Sequence, residues 1–206
     1  MTEPAFDVLV LGIGNVLWAD EGFGVRAVET LHDRYEFSEV VHLMDGGTQG
    51  LYLVQYVQAA RRLLVFDAVD YGLAAGTVKL VRNDEVPRFM GAKKMSLHQT
   101  GFQEVLAAAS LTGKYPEELL LIGVQAVNLE DYGGSLTAQV KERIPYCLGV
   151  ALEQMESWGV QASPRTRPLP AAERLNAGAL GLEAYESGRP GANEACRFGD
   201  SRFLSG

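Results

Sequence analysis

Three acidic residues and one histidine of this 206-residue chain occupy positions where polar side chains are expected to converge. Glu21 follows the first predicted strand, Asp45 ends the second, and Asp67 ends the third. His98 lies in a loop just before a predicted helix and can reach the same place. In an open α/β sheet, the carboxyl ends of parallel strands share one edge, where ligand crevices form. The order of the residues therefore predicts one site that combines carboxylates with an imidazole.

This set of side chains is chemically suited to a divalent transition metal. Glu21, Asp67 and His98 would supply two carboxylates and an imidazole and leave coordination positions open for water or substrate. Other roles stay open for Glu21, Asp45 and His98. Glu21 can complement the positive end of a helix, Asp45 before two glycines can be a turn residue, and His98 can be a surface or capping residue. A zinc ion of its own, in a self-sufficient peptidase, is a further alternative.

The elements that must position these residues alternate between strand-like and helix-like patterns. Strands are predicted at Phe6–Gly12, Glu39–Met44, Leu63–Phe66, Thr77–Val81 and Leu119–Val124, and helices at Glu21–Arg34, after Thr48, at Gln99–Ser110 and at Ser135–Trp158. Such alternation predicts a three-layer α/β/α sandwich around a mostly parallel five-stranded sheet. The link before Thr77–Val81 is too short for a parallel crossover, so we expect this strand to be antiparallel. Pro145 predicts a kink or two abutting helices, and Asp20 is expected to cap the first helix.

The composition changes near residue 160. Residues 161–206 contain half of the eight prolines and few consecutive apolar residues. We therefore expect residues 1–160 to form one domain and residues 161–206 to form a C-terminal tail that is disordered or loosely docked.

The overall charge and the cysteines exclude several classes of protein. A net charge of −8 without a basic block argues against binding to nucleic acid or to an anionic membrane. No apolar run is long enough to span a bilayer. Cys147 and Cys196 form neither a disulfide framework nor a metal pair, which favours the cytoplasm. The glycines Gly12 and Gly14 begin a dinucleotide-binding fingerprint, but Leu17 occupies the position of the third glycine, which argues against a nucleotide enzyme.

Four segments resemble the motifs of one known family, in order and in spacing. The segments Leu11–Val25, Asp45–Gly50, Phe66–Ala68 and Ser96–Gln99 resemble the motifs of the hydrogenase maturation proteases. The residues Trp18–Gly22 of the first motif are similar to those of the uptake-hydrogenase branch of this family. The resemblance extends to about residue 158 and does not cover the tail.

The resemblance implies a twisted sheet between helices and a specific activity. Members of this family are endopeptidases that remove a C-terminal peptide from the large-subunit precursor of a nickel–iron hydrogenase after nickel insertion. The family's metal-contacting positions fall on Glu21, Asp67 and His98, and Asp45 matches an aspartate beside the site, a candidate general base or positioning group. We expect nickel to be supplied by the precursor, with no tightly bound metal of the protein's own. A non-enzymatic nickel-dependent checkpoint or carrier protein that binds the same precursor is the alternative.

Overall fold

A computed structural model of the chain describes residues 4–90, 97–176 and 178–189, and gives residues 97–100 as backbone. Its strands are β1 (Phe6–Ile13), β2 (Tyr35–Glu36), β3 (Val41–Gly47), β4 (Ala60–Val69), β5 (Val78–Arg82), β6 (Glu118–Gln125) and β7 (Ser163–Pro164). Its helices are α1 (Phe23–Arg34), α2 (Val54–Ala59), α3 (Glu85–Met90), α4 (Leu97–Leu111), α5 (Ala138–Lys141), α6 (Ile144–Ser157) and α7 (Leu182–Gly188). Short 3₁₀ turns cover Ala19–Gly22, Gly50–Leu53, Ala171–Glu173 and Gly178–Leu180.

The main sheet has five strands in the order β3-β1-β4-β6-β5. The first four strands run parallel, and β5 pairs antiparallel with β6, as the short link before it predicts. The predicted α/β fold with a mostly parallel five-stranded sheet is therefore confirmed. The chain leaves β1 toward β3 on one side and leaves β4 toward β6 on the other. The connections thus diverge between β1 and β4, which is where open α/β sheets bind ligands.

Helices cover both faces of this sheet, because the central strands are apolar on both sides. Val8 and Val10 of β1 belong to a buried cluster shared with α1 and α6. Leu9 and Leu11, which point the other way, belong to a second cluster shared with α2, α3 and α4. This alternation along one strand produces the three layers. Among the described residues, no helix has both the length and the apolar character needed to cross a membrane.

Some local predictions hold and others need correction. Pro145 lies in the first turn of α6, which directly follows α5, so the two abutting helices are confirmed. The expected capping role of Asp20 is wrong, because Asp20 lies within a 3₁₀ turn and α1 begins only at Phe23. His98 lies in the first turn of α4 rather than in the loop before it. Helix α3 and the short β2–β7 ribbon have sequence patterns too brief to predict.

The described part of the tail contacts the rest of the chain. Strand β7 pairs antiparallel with β2, and the backbone N–H of Arg165 donates to the carbonyl of Arg34 at 2.8 Å. The Arg165 guanidinium also bonds Glu36 at 3.1 Å. Leu169 is buried. These contacts favour docking of residues 163–169 on the rest of the chain, while residues 177 and 190–206 lie outside the described residues. The division of the chain at residue 160 stays a prediction.

Candidate functional site

The loops that follow the carboxyl ends of the four parallel strands form one rim of the sheet, residues 14–22, 48–53, 70–76 and 126–137. The strand register sets which residues meet there. Gly12 of β1 lies opposite Asp45 of β3 and opposite Phe66 of β4. Asp67 comes one residue later and lies opposite Gly123 of β6. Asp45 and Asp67 therefore flank the end of β1, about 10 Å apart, which is two strand spacings.

The same register places the two carboxylates on opposite faces of the sheet. Side chains alternate along a strand, and directly paired residues point to the same face. Asp45, Gly12 and Phe66 therefore share the face of α1, where Phe66 is buried in the α1 and α6 cluster. Asp67 is one position further along β4 and leaves the sheet toward the face of α2, α3 and α4. The sequence alone does not give the register between strands, so it could not predict that the two carboxylates lie on opposite faces.

Glu21 reaches the rim because two glycines let its turn fold tightly against the sheet. A Cβ atom on Gly14, whose φ is +128°, would lie 1.8 Å from the carbonyl oxygen of Glu21. A Cβ atom on Gly24, at the start of α1, would lie 2.2 Å from the carbonyl oxygen of Phe66. Only glycine fits at such approaches. The turn Ala19–Gly22 accordingly contacts β4, the strand that carries Asp67. Gly14 and Gly24 therefore serve the packing of the chain on itself. The third glycine of the dinucleotide-binding fingerprint, which this chain lacks, is not needed for that packing.

Asp20, the neighbour of Glu21, is a buried structural residue that the sequence reading missed. It is 0% exposed. Its Oδ2 accepts hydrogen bonds from the N–H groups of Val127 and Asn128, both at 2.9 Å, and from the Thr137 hydroxyl at 3.0 Å. Its Oδ1 accepts from the Thr137 N–H at 2.6 Å. One carboxylate thus ties the loop after β1 to the loop after β6, which fixes the turn that carries Glu21.

Asp67 is 1% exposed and lies in β4 just beyond the last pair with β1, where β4 still pairs with β6. Burial, together with the negative charge of Asp67, raises the pKa of Tyr71 to about 12. The Tyr71 ring stacks on Phe89 with centroids 4.2 Å apart, and its hydroxyl donates to the Phe89 carbonyl. The buried Gln125 side chain accepts from the Tyr71 N–H at 2.9 Å. The loop beside Asp67 is therefore fixed to β6 and to α3, and Tyr71 stays protonated.

Asp45 is half-buried and has an altered acidity. Burial raises the pKa of its carboxyl above the ordinary value, because removal of water disfavours the charged form. The side chain of Asn176, the N–H of Gly47 and the positive charge of Arg26 oppose this shift and offset it only in part. The N–H of Gly47 therefore interacts with the Asp45 carboxyl itself. A partly buried carboxyl with a raised pKa at a strand end has the properties of a general base.

The backbone of His98 lies in a helix that packs against the rim. A Cβ atom on Gly101 would lie 3.3 Å from the Cα of Gly50, so the first turns of α4 touch the turn that follows β3. The His98 side chain lies outside the described residues. Within the described ranges, no three His, Cys, Asp or Glu side chains form a group that could hold a metal ion. The ligand set Glu21, Asp67 and His98 therefore stays a prediction.

Two further residues of the chain are assigned by their packing. Cys147 is fully buried in the core, and burial raises the pKa of its thiol to about 12. It cannot act as a thiolate nucleophile. His42 is stacked between Phe6, at 4.7 Å between ring centroids, and Tyr56, at 6.0 Å. It is a packed histidine rather than a ligand. Cys196 lies outside the described residues.

Comparison with known proteins gives the family. The family model for hydrogenase maturation protease matches residues 25–154. The hydrogenase expression/formation protein HoxM of Azotobacter vinelandii is 61% identical to this chain over 99% of it and 96% of the relative. The chain belongs to the hydrogenase maturation protease family. Members of this family are endopeptidases, and the chain is accordingly a hydrolase.

Shorter members of the family match only part of the chain. The hydrogenase 2 maturation protease of Escherichia coli K12 is 40% identical over 77% of this chain and 96% of its own length. A solved structure of the E. coli hydrogenase maturating endopeptidase HybD has a TM-score of 0.74 and 38% identity, and covers 78% of this chain and 99% of that one. About a fifth of the present maturation protease therefore has no counterpart in the E. coli proteins, whereas the relative from A. vinelandii matches nearly all of it.

Proposed function

We propose that this protein removes a C-terminal peptide from the nickel-loaded large-subunit precursor of a nickel–iron hydrogenase and so completes its maturation. One observation carries the proposal. Two carboxylates, Asp45 and Asp67, flank β1 at the edge where the connections of the sheet diverge, and the turn that holds Glu21 packs against β4, the strand that carries Asp67. Family membership supplies the reaction class, and this rim is the place where such a reaction fits the fold.

The surface of the rim suits a protein substrate. Large apolar side chains are exposed on three of its four loops: Leu51 and Tyr52 after β3, Leu73 after β4, and Val127 and Tyr132 after β6. Exposed apolar groups gathered around a polar centre mark binding surfaces for other protein chains. We propose that the precursor docks here, with its C-terminal segment crossing the rim.

Recognition of the metal and hydrolysis take place on different sides of the sheet in this proposal. Glu21, Asp67 and His98 contact the nickel that precursor cysteines already hold, because carboxylate and imidazole complement the softer thiolates. The protein holds no tightly bound metal of its own. The nickel contact docks the precursor and places the scissile peptide bond near Asp45.

Asp45 is the general base for the hydrolytic step. Its carboxylate accepts a proton from a water molecule, and the water oxygen attacks the scissile carbonyl carbon. The same proton then passes to the leaving amine as the carbon–nitrogen bond breaks. The backbone at Thr48, which follows β3 and is exposed, can meet the substrate backbone beside Asp45. The buried thiol of Cys147 takes no part. The reaction takes place in the cytoplasm.

One experiment tests this function directly. Purified protein is incubated with precursor from nickel-fed and from nickel-starved cells, and the C-terminus of the large subunit is measured by mass spectrometry. We expect cleavage of the nickel-loaded precursor alone. Equal cleavage of both forms would contradict nickel recognition, and stoichiometric zinc in the purified protein would then favour a self-sufficient zinc peptidase. Binding of the nickel-loaded form without any cleavage would favour the checkpoint or carrier alternative.

A further inference from the structure

The C-terminal segment 178–188 is anchored on helix α1 through buried charges. Arg26 is 2% exposed and pairs with Glu29 at 2.9 Å. The Arg26 guanidinium also donates to the carbonyl of Leu180, and the ring of Tyr185 covers it at 5.4 Å. The other oxygen of Glu29 accepts from a backbone N–H of the same segment at 3.3 Å. The segment thus supplies partners for both members of a buried ion pair, and these contacts fix its place on α1.

From this anchor, helix α7 reaches the loop that follows β6 at the rim. The Tyr185 hydroxyl donates to the carbonyl of Gly134 at 3.2 Å. The next residue, Glu186, accepts from the Ser135 hydroxyl at 2.8 Å and pairs with Lys141 of α5 at 2.7 Å. Burial alone would raise the pKa of Glu186, but the hydrogen bonds from Lys141 and Ser135 outweigh it and hold this pKa below its ordinary value. The ionised carboxylate therefore holds the loop through charge-assisted hydrogen bonds.

The same loop carries one half of an aromatic pair at the rim. Tyr132 is 46% exposed, and its ring centroid lies 5.2 Å from that of Trp18 in the loop after β1. The backbone of Trp18 pairs with Tyr132 and with Gly134. The N–H of Gly133 also donates to the carbonyl of Leu17 at 2.7 Å. Gly134 thus contacts both α7 and the loop that holds Trp18, so α7 is linked to the aromatic pair through a single residue.

We propose that segment 178–188 belongs to the precursor-binding site. Tyr185 and Glu186 are positioning residues that hold the aromatic pair in place for the large-subunit precursor. Tyrosine and tryptophan are enriched at the energetic centres of protein interfaces. They contribute more when their loops are ordered before binding, because ordering a loop on binding costs conformational entropy. The segment lies beyond residue 154, where the match to the family model ends, so it adds to the substrate surface from outside the matched part.

This inference rests on the proposed function, because it assigns the segment to the same precursor. The test uses steady-state cleavage of nickel-loaded precursor by the full chain. Glu186→Gln keeps the shape of the side chain and removes its charge, and Tyr185→Phe removes the donor hydroxyl and keeps the ring over Arg26. We expect each variant to raise KM about 3- to 10-fold, as for a moderate interface residue. The value of kcat should stay within about a factor of two, since a loss of uniform binding raises KM alone.

Two further variants separate positioning from a purely structural role. The matched control is Glu183→Gln, an exposed carboxylate one turn earlier on α7, which should leave KM and kcat unchanged. Tyr132→Ala removes the side chain that the segment positions and should raise KM roughly 5- to 30-fold. Glu186→Gln added to Tyr132→Ala should then raise KM little further, because both changes act on the same contact. A merely structural role of α7 would not produce this dependence.

Three results would overturn the inference. The first is a wild-type KM in both folded variants, Glu186→Gln and Tyr185→Phe. The second is a loss confined to kcat, which would assign the effect to the reacting groups. The third is independent effects of Glu186→Gln and Tyr132→Ala, which would separate α7 from the aromatic pair. A wild-type protein that binds the precursor without cleaving it would contradict the proposed function alone, and the Kd of the precursor would then replace KM in the same comparison.

Discussion

Replacement of Asp20 by alanine should destabilise the fold much more than any other loss of a single carboxylate at the rim. The side chain is 0% exposed and accepts four hydrogen bonds. Three of the donors are backbone N–H groups, of Val127, Asn128 and Thr137, which cannot be removed with it. Each buried N–H left without a partner costs about 1–3 kcal/mol.

The three backbone donors together set an upper range of about 3–9 kcal/mol. Because the rim adjoins solvent, water will reach part of the vacated space, and we expect a loss of about 3–5 kcal/mol in the free energy of unfolding, the size found when one member of a buried charged group is removed. For a chain of this length, each kcal/mol lowers the melting temperature by about 2–4 °C, so a decrease of about 6–20 °C should follow. Asp20→Asn should lower the free energy of unfolding nearly as much, because the NH₂ group of the asparagine would face one of the N–H or O–H donors that now bond Asp20.

Urea unfolding at pH 7 measures this loss, with the slope of the transition checked for two-state behaviour. The matched control is Asp84→Ala, because the Asp84 side chain is 82% exposed and its contact with Arg88 is 4.0 Å long. It should change the free energy of unfolding by less than about 0.5 kcal/mol. A loss below about 1 kcal/mol in Asp20→Ala would refute the claim that this carboxylate holds the two loops together.

Further expectations concern the other carboxylates and the tail. Glu21→Gln and Asp67→Asn should abolish processing of nickel-loaded precursor while the melting temperature stays unchanged. Cleavage at wild-type rates in these variants would contradict the metal-contact role and indicate that both residues are structural. Burial raises the pKa of the Asp45 carboxyl, so the folded protein holds this proton at higher pH than the unfolded chain does, and stability from this group decreases as pH rises through that interval. Asp45→Asn should therefore match or exceed the wild-type melting temperature at pH 7 and lack this pH dependence, while cleavage is lost; a lower melting temperature would contradict the burial argument. Truncation after Gly159 should lower the melting temperature by more than about 4 °C, since it uncovers the buried Arg26 ion pair, and an unchanged melt would support the loosely docked tail.

Local sequence patterns were sufficient for the fold class and for the strand ends. A strand or helix is encoded in the spacing of neighbouring apolar residues, so the apolar runs predicted which residues leave the sheet at the rim. The short link before β5 predicted its antiparallel direction, because a parallel return needs a longer crossover. These features depend only on residues close together in the chain. Asp45 and Asp67 could therefore be placed at strand ends without a structure.

The roles of the residues around those strand ends depended on the tertiary structure. The donors to Asp20 come from 107 to 117 positions away, and no local pattern distinguishes this buried acid from its neighbour Glu21. The register between strands, which the chain's connections set, sends Asp45 and Asp67 to opposite faces. Leu180 and Tyr185 meet the buried guanidinium of Arg26 only because a distant segment docks on α1. The spacing of apolar residues indicates which side chains share one face of a strand or helix. It does not indicate which distant residues will contact that face.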